Sequence, residues 1–257
     1  MISKNKVKYL KGLELKKHRQ ADGVFVAEGP KIVGDLLAAG FQATYLAVVE
    51  NSEFASRLPA LGLEENVQTE YVTADDLRKV SSLEAPQQVL AVLKQPVWTF
   101  DLSVPSTQLC LALDEVQNPG NLGTIIRLAD WFGIEHVFCS KGCADVYNAK
   151  TVQATMGALA HVKVHSVDLV EMLKHLPANT PVYGTFLDGE NLYEKALEQR
   201  GLIVMGNEGR GVSEEVAELV TERLFIPNYP QNRTSTESLN VAIATAVVCA
   251  EFRRRAL

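Results

Sequence analysis

Three short stretches carry the residue types that do chemistry. Residues 118–123 read NPGNLG; they follow the apolar run LCLAL and open an amphipathic run that holds Arg127. Residues 203–213 read IVMGNEGRGVS, and residues 224–246 read LFIPNYPQNRTSTESLNVAIATA. Each follows an expected strand, and turns at strand ends can converge on one crevice. Their polar groups include amides, hydroxyls, the Glu208 carboxylate and, one turn into the run after the first stretch, the Arg127 guanidinium. Such groups orient and stabilise a polar ligand through hydrogen bonds and charge. Gly120 with Gly123, and Gly206 with Gly209 and Gly211, miss the dinucleotide spacing G-x-G-x-x-G. No Gly-Lys-Ser/Thr follows to make a phosphate loop, and no G-x-S-x-G marks a nucleophile elbow. Taken singly, each turn also reads as a plain strand-to-helix connection.

Metal chemistry finds little support. Cys139 and Cys143 have no second Cys or His pair at zinc-site spacing, and Cys110 and Cys249 lie in apolar runs. All four read as small buried thiols. His161 and His165 read as the same face of one strand, without a third ligand nearby.

The elements that must position these groups follow from periodicity. The first 95 residues read as an α/β unit: a basic amphipathic helix over 6–23, then strands and helices in turn, ending with the strand QQVLAVLKQP. KQPVWTFDLSVPST reads as a linker. The expected domains are therefore 1–95, a linker at 96–107, and 108–257. In the last, strands alternate with helices, including a helix around NAKTVQATMGALAH, a short helix around NLYEKALEQ and a final helix from about Glu237 to Arg254. That alternation implies a mostly parallel sheet with helices on both faces.

The 257 residues carry a net charge of −6, which argues against indiscriminate binding to nucleic acid. The first 95 are neutral, with 12 Lys and Arg against 12 Asp and Glu, so the deficit lies beyond them. Bases cluster early, at Lys4, Lys6, Lys8, Lys11, Lys16, Lys17 and Arg19. This is a local footprint for a polyanion or, in the plainer reading, a solvated helix face. No apolar run approaches the roughly 20 residues that span a bilayer. The N-terminus lacks a signal-peptide core, and cysteines are few, so a cytoplasmic location is expected.

N-x-G-N-x-G-x-x-x-R, then G-N-E-G-x-G, then I-P…S-L-N-V resembles, in that order, the SpoU/TrmH branch of the SPOUT RNA methyltransferases over about 108–252. The segment LKKHRQADGVFVAEGPKIVGDLLAAG is similar to that family's small ribosomal-protein-like RNA-binding domain, so the resemblance covers nearly the whole chain.

The resemblance implies a C-terminal domain closed by a deep trefoil knot, S-adenosylmethionine as cofactor, a homodimer, and transfer of a methyl group to a ribose 2′-hydroxyl of structured RNA. It implies a catalytic set of Asn121, Arg127, Glu208, Ser238 and Asn240. Cofactor contacts fall on Thr185, Leu187, Gly206, Asn207, Glu208, Gly209, Ile226, Pro227 and Leu239. RNA contacts are expected at Lys16, Lys17 and Arg19 of the early basic cluster, and at Arg233 in the third motif's longer loop. The resemblance implies no metal. The third motif departs from the family's pattern: its loop is longer, and Asn228 and Ala242 stand where Met and Ser are usual. Ribosomal RNA is the expected substrate; the alternatives are the same chemistry on tRNA, or a non-catalytic RNA-binding or ribosome-assembly factor. A reductase on a nucleotide cofactor would need the dinucleotide fingerprint that is missing.

Overall fold

The computed structural model describes residues 1–61, 63, 67–230 and 238–255. The chain divides into two compact units, Met1–Val97 with Asp145–His161, and Trp98–Ala144 with Val162–Leu257.

The first unit runs α1 (Lys4–Gly12), α2 (Lys16–Asp22), β1 (Val24–Glu28), α3 (Pro30–Ala38), β2 (Ala43–Val49), α4 (Glu53–Arg57), β3 (Gln68–Val72), α5 (Ala74–Arg78) and β4 (Val89–Lys94). The sheet order is β1-β4-β2-β3, with β2 and β3 parallel and the other pairs antiparallel. Leu10 and Leu13 pack with Tyr45, Leu77, Leu90 and Val92 in one buried cluster.

The single helix expected over 6–23 is two helices. The chain breaks after Gly12, and Arg19 explains how the break is tolerated. Its guanidinium donates to the carbonyls of Leu13 (2.6 Å) and Glu14 (2.7 Å), which the break leaves without helical partners. The same group pairs with Asp145 at 2.5 Å, and Arg19 is only 3% exposed. Arg19 is therefore a buried clamp and not the RNA contact expected from the sequence. The clamp helps hold α8 (Ala149–Thr155) in this unit, with Lys31 Nζ donating to the Met156 carbonyl and the Phe25 and Tyr147 rings 4.8 Å apart. Sequence alternation alone left that segment with the second part.

The second unit contains α6 (Val104–Thr107), β5 (Leu109–Leu113), α7 (Pro119–Trp131), β6 (His136–Ser140), β7 (Lys163–Val167), α9 (Leu169–Lys174), β8 (Val182–Asn191), β9 (Gly201–Met205), α10 (Glu214–Ala217), β10 (Glu222–Phe225) and α11 (Val241–Arg254). All pairs in its sheet are parallel, in the order β10-β8-β9-β5-β6-β7. β5 and β9 are buried along their whole length, as continuous apolar strands of a covered parallel sheet must be. The chain leaves β5 to one side and returns on the other at β9. The switch point, where such sheets bind ligands, therefore lies between the ends of these two strands.

Two expectations fail locally. Residues 192–195 make only a turn, because β8 runs on to Asn191, whose side chain accepts from the Tyr193 N–H. α11 starts at Val241, not near Glu237, because Asn240 is its N-cap. No helix among the described residues is long and apolar enough to cross a membrane.

His161 precedes β7 instead of sharing a strand face with His165. His165 meets His136 from the neighbouring strand, ring nitrogens 3.0 Å apart, against Phe138 and Phe100. Burial, followed by His136 and Lys163, pushes His165 down to about 4. An unfolded histidine takes up its proton near 6.5, so the unfolded chain gains a proton below that value that the folded chain refuses until about 4. Stability is therefore level above about pH 6.5 and falls between about 6.5 and 4. Urea unfolding at pH 7.5 and pH 5 should differ by about 2 kcal/mol from this group, and His165→Phe should remove most of that difference.

Candidate active site

The three chemical stretches meet at the switch point. After β5 the chain turns through 114–118 into α7. Asn118 caps α7, its Oδ1 accepting from the N–H groups of Gly120 and Asn121. After β9 the chain makes a tight hook. Asn207 and Gly211 exchange both backbone hydrogen bonds, and Asn207 Oδ1 accepts from the N–H of Gly209 and of Arg210. Gly206 sits where the hook folds back on itself. A Cβ there would lie 2.2 Å from the Gly211 carbonyl carbon and 2.3 Å from the Val212 nitrogen, so only glycine fits.

Glu208, inside the hook, is the hub. Its carboxylate accepts from Asn121 Nδ2 at 3.0 Å and from the N–H of Asn118 and Gln117 at 3.3 and 3.4 Å. Burial raises its pKa, but these hydrogen bonds and its own N–H outweigh that and hold it below the ordinary carboxylate range. It is thus ionised at neutral pH.

An ionised carboxylate only accepts, so Asn121 must turn its amide nitrogen toward Glu208 and its oxygen away. That oxygen accepts from Asn240 Nδ2 at 3.1 Å. Asn240 must in turn spend its own oxygen on the N–H groups of Ala242 and Ile243 as the cap of α11. Capping and site-building are therefore one arrangement. Each amide nitrogen carries a second hydrogen, which leaves Asn121 and Asn240 with one oriented donor apiece for a ligand.

α7 and α11 run parallel. Asn121 and Asn240 join their N-terminal ends, and Arg253 donates to the Phe132 and Gly133 carbonyls at the other end of α7.

The remaining expected residues divide. Leu187 and Leu239 are 75% and 50% exposed, Ile226 and Pro227 are half-buried, and the Thr185 hydroxyl lies 4.0 Å from the Met205 sulfur. Leu187 lies within β8, and Leu239 directly precedes Asn240, the N-cap of α11. Ser238 is exposed and makes no hydrogen bond with another described residue. Arg127 stands six residues beyond Asn121, roughly 120° round the helix, so it faces away from Asn121. It is exposed, without an ion-pair or hydrogen-bond partner among the described residues, and shares its side of α7 with Thr124 and Trp131, the latter 82% exposed. In the first unit, Lys16 and Lys17 are exposed without ion-pair partners among the described residues, as are Lys4, Lys8 and Lys11. Arg233 lies outside the described residues. No group of three or more His, Cys, Asp or Glu among the described residues could hold a metal ion.

Sequence reasoning missed Asp114, Glu115 and Arg210. Asp114 is buried and accepts from the Ser213 N–H at 2.8 Å. Glu115 pairs with Arg210 at 2.5 Å. The available signal was two carboxylates directly after a fully apolar strand.

The SpoU rRNA Methylase family matches residues 108–250, and the MRM3-like substrate binding domain matches residues 4–91. Over 250 residues the chain is 33% identical to the 23S rRNA (guanosine(2553)-2'-O)-methyltransferase RlmP of Bacillus subtilis (strain 168), with 96% of each chain covered. A solved structure from Porphyromonas gingivalis, assigned to the TrmH family of RNA methyltransferases, matches with a TM-score of 0.87 at 41% identity, covering 99% of both chains. The AdoMet-bound rRNA methyltransferase from Sinorhizobium meliloti matches with a TM-score of 0.84 at 28% identity, covering 100% of this chain and 98% of that one.

Proposed function

The chain belongs to the SpoU rRNA methylase family, and from that premise we propose that it transfers a methyl group from S-adenosylmethionine to a ribose 2′-hydroxyl of ribosomal RNA. The observation that carries this reading is the linked trio Glu208–Asn121–Asn240, built from all three motifs at the switch point.

The bound donor supplies an electrophilic methyl carbon on a sulfonium. The hydroxyl oxygen would displace the sulfur from the methyl carbon in line, the bonding pair leaving with the sulfur as a neutral thioether and the hydroxyl proton passing to solvent water. Holding oxygen and carbon in line contributes about 7–11 kcal/mol in well-aligned cases. Asn121 and Asn240 offer the oriented donors, and Ser238 adds a hydroxyl. The Arg127 guanidinium has only donors and no acceptor, so it does not take the proton. It grips the adjoining phosphate and stabilises the developing negative oxygen.

Because Arg127 faces away from its own chain's Asn121, it serves the site of a second copy. The homodimer interface then lies along α7 and α11, where Trp131 and Ile243 are left exposed. The exposed lysines of α1 and α2 that have no ion-pair partner among the described residues would bind RNA phosphates, consistent with the substrate-binding match over that unit. The knot implied by the family belongs to this proposal. A cytoplasmic location is part of the same proposal, supported by the 33% identical bacterial relative.

Calorimetric titration with S-adenosylmethionine, with NADH as control, comes first, followed by methyl transfer to ribosomal RNA and to bulk tRNA. Donor binding with transfer to ribosomal RNA is the expected result. Transfer to tRNA alone would move the substrate, and no donor binding would sink the enzyme reading in favour of a non-catalytic RNA-binding factor.

A further inference from the structure

The hook that carries Glu208 is internally tied, but those ties do not say where it points. Contacts with the 114–118 turn do that, and most of them are made by two residues. The Asp114 carboxylate holds the Ser213 N–H at the far end of the hook. Glu115 holds the near part twice: its carbonyl accepts from Asn207 Nδ2 at 2.8 Å, and its carboxylate pairs with Arg210 at 2.5 Å.

Glu115 has a φ of +56°, a conformation that non-glycine residues seldom adopt. Such a conformation persists where surrounding contacts over-determine it, and it is often found at functional sites. Gly142 leaves room for the side chain. A Cβ on Gly142 would stand 2.7 Å from Glu115 Cγ.

Resting on the function proposed above, we propose that Glu115 and Arg210 are a positioning pair that sets the donor-binding hook, and with it Glu208, relative to Asn121. Neither residue belongs to the trio. The pair is open to solvent, with side chains 36% and 69% exposed, and ion pairs of that kind contribute little to overall stability. A role in positioning therefore separates from a role in folding.

The test uses the full chain with Arg210→Met, Arg210→Lys, Glu115→Gln and the exchanged pair Glu115→Arg/Arg210→Glu. Four quantities are measured: affinity for S-adenosylmethionine, KM for RNA, Tm, and hydrogen exchange over 206–213 without ligand. Arg210→Met and Glu115→Gln are expected to weaken donor binding about 5- to 10-fold and to speed exchange in the hook. Tm should stay within about 3 °C. Arg210→Lys should recover part of the donor affinity, and the exchanged pair most of it. Unchanged donor affinity with a raised KM for RNA would overturn the proposal and make Arg210 an RNA contact. A loss of affinity that merely follows a large fall in Tm would also overturn it. If the wild type binds no donor, the proposed function fails, and exchange in the ligand-free hook still decides for or against the pair.

Discussion

Arg127→Ala is expected to lower methyl transfer about 100- to 1,000-fold while leaving S-adenosylmethionine affinity within about 2-fold. The guanidinium has no partner of its own among the described residues, so its removal breaks no internal contact and should leave Tm unchanged. Arg127→Lys keeps the charge but loses the planar fork, so an intermediate rate is expected; full activity in that variant would refute the bidentate grip.

Mixing decides which copy the arginine serves. Arg127→Ala and Asn240→Ala chains, unfolded together and refolded at equal concentration, form mixed dimers. If Arg127 works across the dimer, one site of each mixed dimer has both residues intact, and about a quarter of wild-type activity returns. If it works within its own chain, every site stays defective and none returns. Asn240→Ala also loses the cap of α11, at a cost of about 1 kcal/mol, which a chain of this size should tolerate.

Gly206→Ala is expected to abolish measurable donor binding and to lower Tm by about 5–10 °C. The added methyl group would meet backbone atoms of Gly211 and Val212, not the movable end of a side chain. The hook would have to open, taking Asn207 from Glu115 and Glu208 from Asn121. Gly209→Ala is the control in the same loop, since its nearest neighbour would be Asn207 Oδ1 at an ordinary 3.7 Å. That variant should keep its Tm. Equal behaviour of the two variants, by calorimetry and thermal melting, would refute the close-packing argument.

Much of the site was readable because its pieces are local. Asn118 caps α7 through the N–H groups two and three residues on, Asn207 closes its hook at the same spacing, and Asn240 caps α11 in the same way. Such bonds leave a mark in a short window of sequence, as do the apolar runs of β5 and β9. The parallel sheet followed from strand and helix alternation, and the motif order carried the family.

The sequence by itself determined which groups would do chemistry and that each would sit at the end of a strand. Only the tertiary structure decided which of them touch. Asn121 reaches Glu208 across 87 residues and Asn240 across 119, because the sheet places β9 beside β5 and α11 beside α7. The same limit explains Arg19, which sits among solvated lysines in sequence yet is buried. Its burial depends on a helix break after Gly12 and on Asp145, 126 residues away. Periodicity records how a residue relates to its own element, whereas burial and pairing depend on which distant element packs against it.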